Sequence, residues 1–250
     1  MRNLAASLGL FVLCAGAQDA PASPPLPTVQ QVMDRYVSAL GGHDAIFRHK
    51  SMTIREKLEV PTQGLHLDRV VYYGEGKRYE ELALPGGGQY QAGYDGTTAW
   101  ESSTSSGPAL VKGDEAKSQV RDSDMYYPAR ILDYFSSMQV VDRAEFEGHT
   151  CYHLKGTNKW GQVNEHFYDT TTGLLAGYRF NSAWRGGPGE ESEVFSDYKP
   201  CDGWLIPMRV EHKQPKGSLI EVIRSVTFDD APASRFVLPE AVKASLAKQR

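Results

Sequence analysis

Cysteine is scarce: the 250 residues hold three. One of them, Cys14, falls in a leader described below, so Cys151 and Cys201 can form at most one bridge. No apolar run reaches the ~18 residues a membrane-spanning helix needs. Neither charge sign dominates, with 27 lysines and arginines against 31 aspartates and glutamates and a net charge of −4. That excludes the basic footprint of a nucleic-acid-binding chain. Catalytic signatures are missing too: there is no Gly-x-Ser-x-Gly elbow, phosphate loop, dinucleotide fingerprint or His-Glu-x-x-His zinc helix. His149 and His153 stand four apart in a strand with no third ligand nearby, which fits paired surface residues better than a metal site. Cys151 lacks the sequence context of a catalytic nucleophile. There is no internal repeat, coiled-coil heptad or block of like charge.

What is present points to strands. Glycine (24), proline (14) and tyrosine (13) are plentiful, and 40% of residues are hydrophobic against 23% charged. This is a folded globular composition rich in turn and strand formers. Residues 1–17 read as a secretory signal: Arg2 near the start, an apolar core, then Ala15-Gly16-Ala17, with cleavage expected before Gln18. Acylation at Cys14 is the weaker alternative, because Leu13 stands where a small residue is needed. Residues 18–27 are rich in Ala, Pro and Ser and predict a flexible tether. An exported chain with two remaining cysteines invites a Cys151–Cys201 bridge, and two separate buried thiols are an equal alternative.

Val29, Val32, Met33, Tyr36, Val37 and Leu40 recur at helical spacing between a Thr28 cap and a Gly41-Gly42 stop. From Met52 the period falls to two, and strands are expected at 52–60, 65–73, 78–84, 89–94 and 97–102. Residues 103–113 predict a loop and 114–137 a helical insertion with Ile131, Leu132 and Phe135 on one stripe. A second meander is expected at 138–146, 149–157, 162–169, 174–183, 190–199, 204–214 and 218–229, with turns that include Gly186 to Gly189. A short helix is expected near 240–247. So many antiparallel strands should curl or close, with the insertion as a lid. On the late strands, Trp204, Ile206, Met208 and Val210 share one face, and Ile220, Val222, Val226 and Phe228 share another. Arg224 is in phase with the latter and would point inward, to latch a lid, meet a polar ligand head or snorkel to water.

Several ordered stretches resemble the LolA-like family of outer-membrane lipoprotein-sorting proteins. They are Tyr36-Val-Ser-Ala-Leu-Gly-Gly-His-Asp-Ala-Ile46, Tyr94-Asp-Gly-Thr-Thr-Ala-Trp100, Phe167-Tyr-Asp-Thr-Thr-Thr-Gly-Leu-Leu175, Asp197-Tyr-Lys-Pro-Cys-Asp-Gly-Trp-Leu-Ile-Pro207 and Phe228-Asp-Asp-Ala. The resemblance covers 28–239, leaving 240–250 as a tail. It implies a mainly β, α+β fold: an unclosed antiparallel barrel of about eleven strands, covered by the leading helix and an inserted lid. It also implies a periplasmic carrier of lipid or lipoprotein acyl chains that is not an enzyme and needs no cofactor or metal. The arginine that latches the lid in this family has no clear counterpart, and Arg69, Arg78 and Arg224 are the candidates.

Strand phase and the resemblance together nominate Leu58, Tyr79, Trp100, Ile131, Phe135, Ile206, Val222 and Arg224 as ligand-binding residues. A monomer with peripheral membrane contact and envelope protein partners is expected. Two other functions compete. A sensing or partner-binding module would form stable complexes without lipid transfer. A barrel enzyme would need titratable groups facing each other in a polar cavity.

Overall fold

A computed structural model describes residues 24–182 and 189–247. The leader, its cleavage site, Cys14, most of the tether and residues 186–188 of the glycine turn lie outside the described residues. Helix α1 (Val29–Ala39) opens on a capping box: the Thr28 hydroxyl accepts from the Gln31 amide, and Gln31 Oε1 accepts from the Thr28 amide. Its Val32, Met33 and Tyr36 are buried. Gly41 then turns the chain at φ +112°, and a Cβ there would lie 2.0 Å from the Gly203 carbonyl oxygen, so only glycine fits. Helix α2 (His43–Phe47) follows.

The first meander is β1 (Met52–Val60), β2 (Leu65–Gly74), β3 (Lys77–Ala83), β4 (Gln89–Tyr94), β5 (Ala99–Ser103) and β6 (Gly107–Leu110). The insertion contains α3 (Gly113–Asp122), α4 (Tyr127–Arg130) and a 3₁₀ turn, Ile131–Tyr134. The second meander is β7 (Phe135–Phe146), β8 (His149–Asn158), β9 (Val163–Asp169), β10 (Leu175–Ser182), β11 (Gly189–Cys201), β12 (Trp204–Gln214) and β13 (Gly217–Phe228). Helix α5 (Glu240–Ala247) comes last.

The thirteen strands among the described residues form one antiparallel sheet in the order β6-β5-β4-β3-β2-β1-β13-β12-β11-β10-β9-β8-β7. The first and last strands pair in the middle, joining the two meanders. The edges are β6 and β7, which are consecutive in the chain and do not pair, so the insertion is the segment that bridges the open side. Thirteen strands exceed the eleven that the resemblance implies. One of them, β6, lies inside 103–113, where the serines predict a loop, yet four residues suffice to pair with β5. Phe135, expected on the insertion, instead opens β7.

The sheet is covered on both faces. On the inner face α1, Met125, Tyr126 and Ile131 pack against Met52, Leu154, Tyr168, Trp204 and Ile206. On the outer face, the C-terminal segment places Val242, Phe236 and Leu238 against Tyr72, Tyr79 and Trp100. Cys151 and Cys201 are free thiols. They sit on β8 and β11, three strands apart, or about 14 Å at ordinary strand spacing. A disulfide needs Cα atoms roughly 4.4–6.8 Å apart.

Candidate functional site

The nominated residues do not line one cavity. Leu58 is buried on the inner face in register with Leu67 and Glu221. Ile131, Ile206 and Phe135 belong to the inner core. Tyr79 and Trp100 correct the expectation: they lie on the outer face, where Tyr79 pairs with Tyr72 and Gly93, and Trp100 with Gly93 and Leu110. Val222 is also on the outer side, in register with Lys57 and Arg209. The cause is a β-bulge. The register of β13 against β1 slips between Arg55 and Glu56, skipping Arg224. Beyond it every side chain changes face, so Val226 and Phe228 point inward while Val222 and Ile220 do not. Arg224 is the extra residue, and it is exposed to solvent.

The inner face carries a feature that the nominated list misses: a belt of charged groups across β11, β12, β13, β1, β2 and β3. Arg69 donates to Glu56 through Nε, to Glu221 through Nη2 at 2.5 Å, and approaches Glu80 through Nη1 at 3.5 Å. Arg78 Nη2 reaches Glu80 at 2.7 Å. His212 lies between two carboxylates, Glu193 at 3.3 Å from Nδ1 and Glu221 at 3.2 Å from Nε2. Glu56 is the deepest member, its side chain 2% exposed. Burial pushes its carboxyl up to about 7 against the pull of Arg69. At Glu221 burial also raises, but Arg69 and His212 outweigh it and hold the group well below the usual range. Burial lowers His212, but Glu193 and Glu221 prevail and hold it well above 6.5, as the imidazolium. Arg69 and Arg78 thus face the carboxyl groups of Glu56, Glu80 and Glu221, and His212 faces Glu193 and Glu221, so cationic and acidic groups alternate along the belt. Among the described residues no group of three or more His, Cys, Asp or Glu could hold a metal.

The cover over this face is uneven. The anchor is Tyr126: its hydroxyl donates to the His49 carbonyl at 2.5 Å, its ring stacks on Phe47 at 4.7 Å, and Arg130 lies over both rings. Met125 and Ile131 are buried beside it. Helix α3, by contrast, buries no residue, and its Val120 is 37% exposed. At its end Arg121 pairs with Asp122 at 2.7 Å and lies over the Tyr127 ring at 6.0 Å.

Two spaces adjoin the insertion. A cleft of about 330 Å³ opens between α3, β6, the β4–β5 turn and Trp160. Behind Trp160 a void of about 20 Å³ is walled by Arg121, Tyr127, His166 and Tyr178. Burial, reinforced by Arg121, pushes His166 down to about 3, so its imidazole is neutral. No described helix is long and apolar enough to cross a membrane.

No protein-family model and no curated protein matches the sequence. Solved structures do match by shape. A LolA superfamily protein from Nitrosomonas europaea superposes with a TM-score of 0.59 at 13% identity, over 85% of this chain and 99% of that one. A DUF1329 family protein from Desulfovibrio piger gives 0.59 at 12% identity, over 86% and 98%. A domain provisionally described as outer membrane lipoprotein-sorting, from Vibrio parahaemolyticus, gives 0.52 at 12% identity, over 88% and 96%. The fold is therefore LolA-like: mainly β, one unclosed antiparallel sheet with a few short helices.

Proposed function

We propose that this chain is a periplasmic carrier, monomeric and non-catalytic, that holds lipid or lipoprotein acyl chains under its helical insertion. It would reach that compartment through the leader at 1–17. The observation that carries the proposal is α3, which bridges the open side of the sheet with no fully buried residue, while its neighbours Met125, Tyr126 and Ile131 are fixed in the core. Such a cover can lift without breaking the core. The chemistry suits acyl chains, since each CH₂ moved out of water contributes about 0.8 kcal/mol and a few suffice for useful affinity. The LolA-like fold is shared with a domain described as lipoprotein-sorting, which adds to the case.

The test is native mass spectrometry of protein exported to a bacterial periplasm and purified without detergent. A discrete added mass that solvent extraction releases as lipid is the expected result. A bare mass, with no uptake when lipids are offered, would overturn the carrier. A second reading rests on β7, a twelve-residue edge strand with a neighbour on one side only. Such an edge can accept a partner's strand. Stable complex formation with an envelope protein, without lipid transfer, would favour it.

A further inference from the structure

The charged belt crosses the seam of the sheet, where β1 pairs with β13 and joins the two meanders. Arg69, on β2, bonds Glu56 on β1 and Glu221 on β13, so its guanidinium ties both sides of that seam. The charges along the belt do not balance. Four carboxyl groups, Glu56, Glu80, Glu193 and Glu221, meet three cations, Arg69, Arg78 and His212. Arg121 and Asp122, at the end of α3, pair with each other and add no net charge. Tyr73, whose ring lies 5.9 Å from the Arg78 guanidinium, and Tyr178, beside Glu193, stay protonated because burial pushes both hydroxyls up. With every acid ionised, the belt would hold one uncompensated negative charge away from water, which is unfavourable. One proton restores the balance. Glu56 is the place for it: its side chain is 2% exposed, against 12% for Glu80, 17% for Glu221 and 18% for Glu193. It also shares Arg69 with Glu80 and Glu221.

We infer that the belt is a proton-operated clasp: Glu56 holds one proton, and losing it loosens the joint between the two meanders. The step is an ionisation, in which the Glu56 O–H bond breaks and the proton leaves to solvent. This device is independent of what the protein carries. Its sign follows from the folded value of about 7 against an ordinary 4.5, which means the folded state binds the proton more tightly. The stability Glu56 contributes is fully present below about pH 4.5 and is lost as pH rises through about 7.

The test compares the full mature chain with Glu56→Gln, whose amide matches the shape of the protonated acid. The urea midpoint of the parent should fall between about pH 4.5 and 7, and that fall should be absent in the variant. Amide exchange, corrected for its intrinsic pH dependence, should rise about tenfold in the β1–β13 ladder of the parent over the same window, and much less in β8–β9. The infrared band of an un-ionised carboxyl should be present in the parent on the acid side of neutrality and lost in Glu56→Gln. That band is read on the parent, so its presence is decided even if the variant fails to fold. No such band in the parent, a band that survives Glu56→Gln, or a variant whose midpoint falls in parallel with the parent's would overturn the inference. An exchange rise shared equally by β8–β9 would overturn the clasp at the seam.

Discussion

Arg69 bonds Glu56, Glu80 and Glu221, each brought by a different strand. The belt around it was partly legible as a break in phase. Glu56 falls in step with Met52, Ile54 and Leu58, and His212 falls in step with Trp204, Ile206, Met208 and Val210. A charge inside an apolar series at period two must find a partner or leave the face. What the sequence could not show is which partner, because Arg69 and Glu221 come from strands 13 and 152 residues from their contacts on β1 and β2. His212 gives the belt a pH signature. Its folded value is held above 6.5 by Glu193 and Glu221 against burial, so the folded state binds the extra proton. The stability it contributes is fully present below about pH 6.5 and is lost as pH rises through the folded value. The urea midpoint should therefore decline on the alkaline side, and His212→Gln should flatten that decline. Parallel declines in both proteins would assign the effect to other groups.

Regular elements were legible because their periodicity is local. The strand expected at 204–214 is Trp204–Gln214, and the helix opening at Thr28 is where its cap and spacing put it. The exceptions follow from tertiary context. Four residues of β6 become a strand only because β5 offers a ladder, and Phe135 joins β7 because its ring meets His166 edge-on at 5.3 Å. The bulge at Arg224 was invisible: one extra residue leaves the pattern of β13 looking continuous while it exchanges the faces of everything before it. Val222 consequently sits between Lys57 and Arg209. Val222→Glu should cost less than about 1 kcal/mol, since an opposite charge across strands contributes roughly 0.2–1 kcal/mol. It should also leave lipid uptake unchanged. Loss of several kcal/mol in urea denaturation, or loss of bound lipid, would place Val222 on the inner face after all.

At the scale of the whole molecule, the two ends of the strand series meet in the middle of the sheet, and its two edges are joined by the insertion. The order helix, meander, helical insertion, meander could be read from period changes alone, and it agrees with the LolA-like shape. The pairing of β1 with β13 could not, because no local pattern reports a contact between residues some 170 apart. No ladder of the described sheet involves the insertion, so in the proposed carrier it is the part that would move. Hydrogen exchange resolved to residues 113–122 tests this most directly, before and after phosphatidylglycerol vesicles are added. The account predicts that α3 exchanges at least about tenfold faster than α1, whose Val32, Met33 and Tyr36 are buried, and that lipid slows α3 while α1 stays unchanged. An α3 as protected as α1 from the start, and indifferent to lipid, would contradict a carrier that opens there.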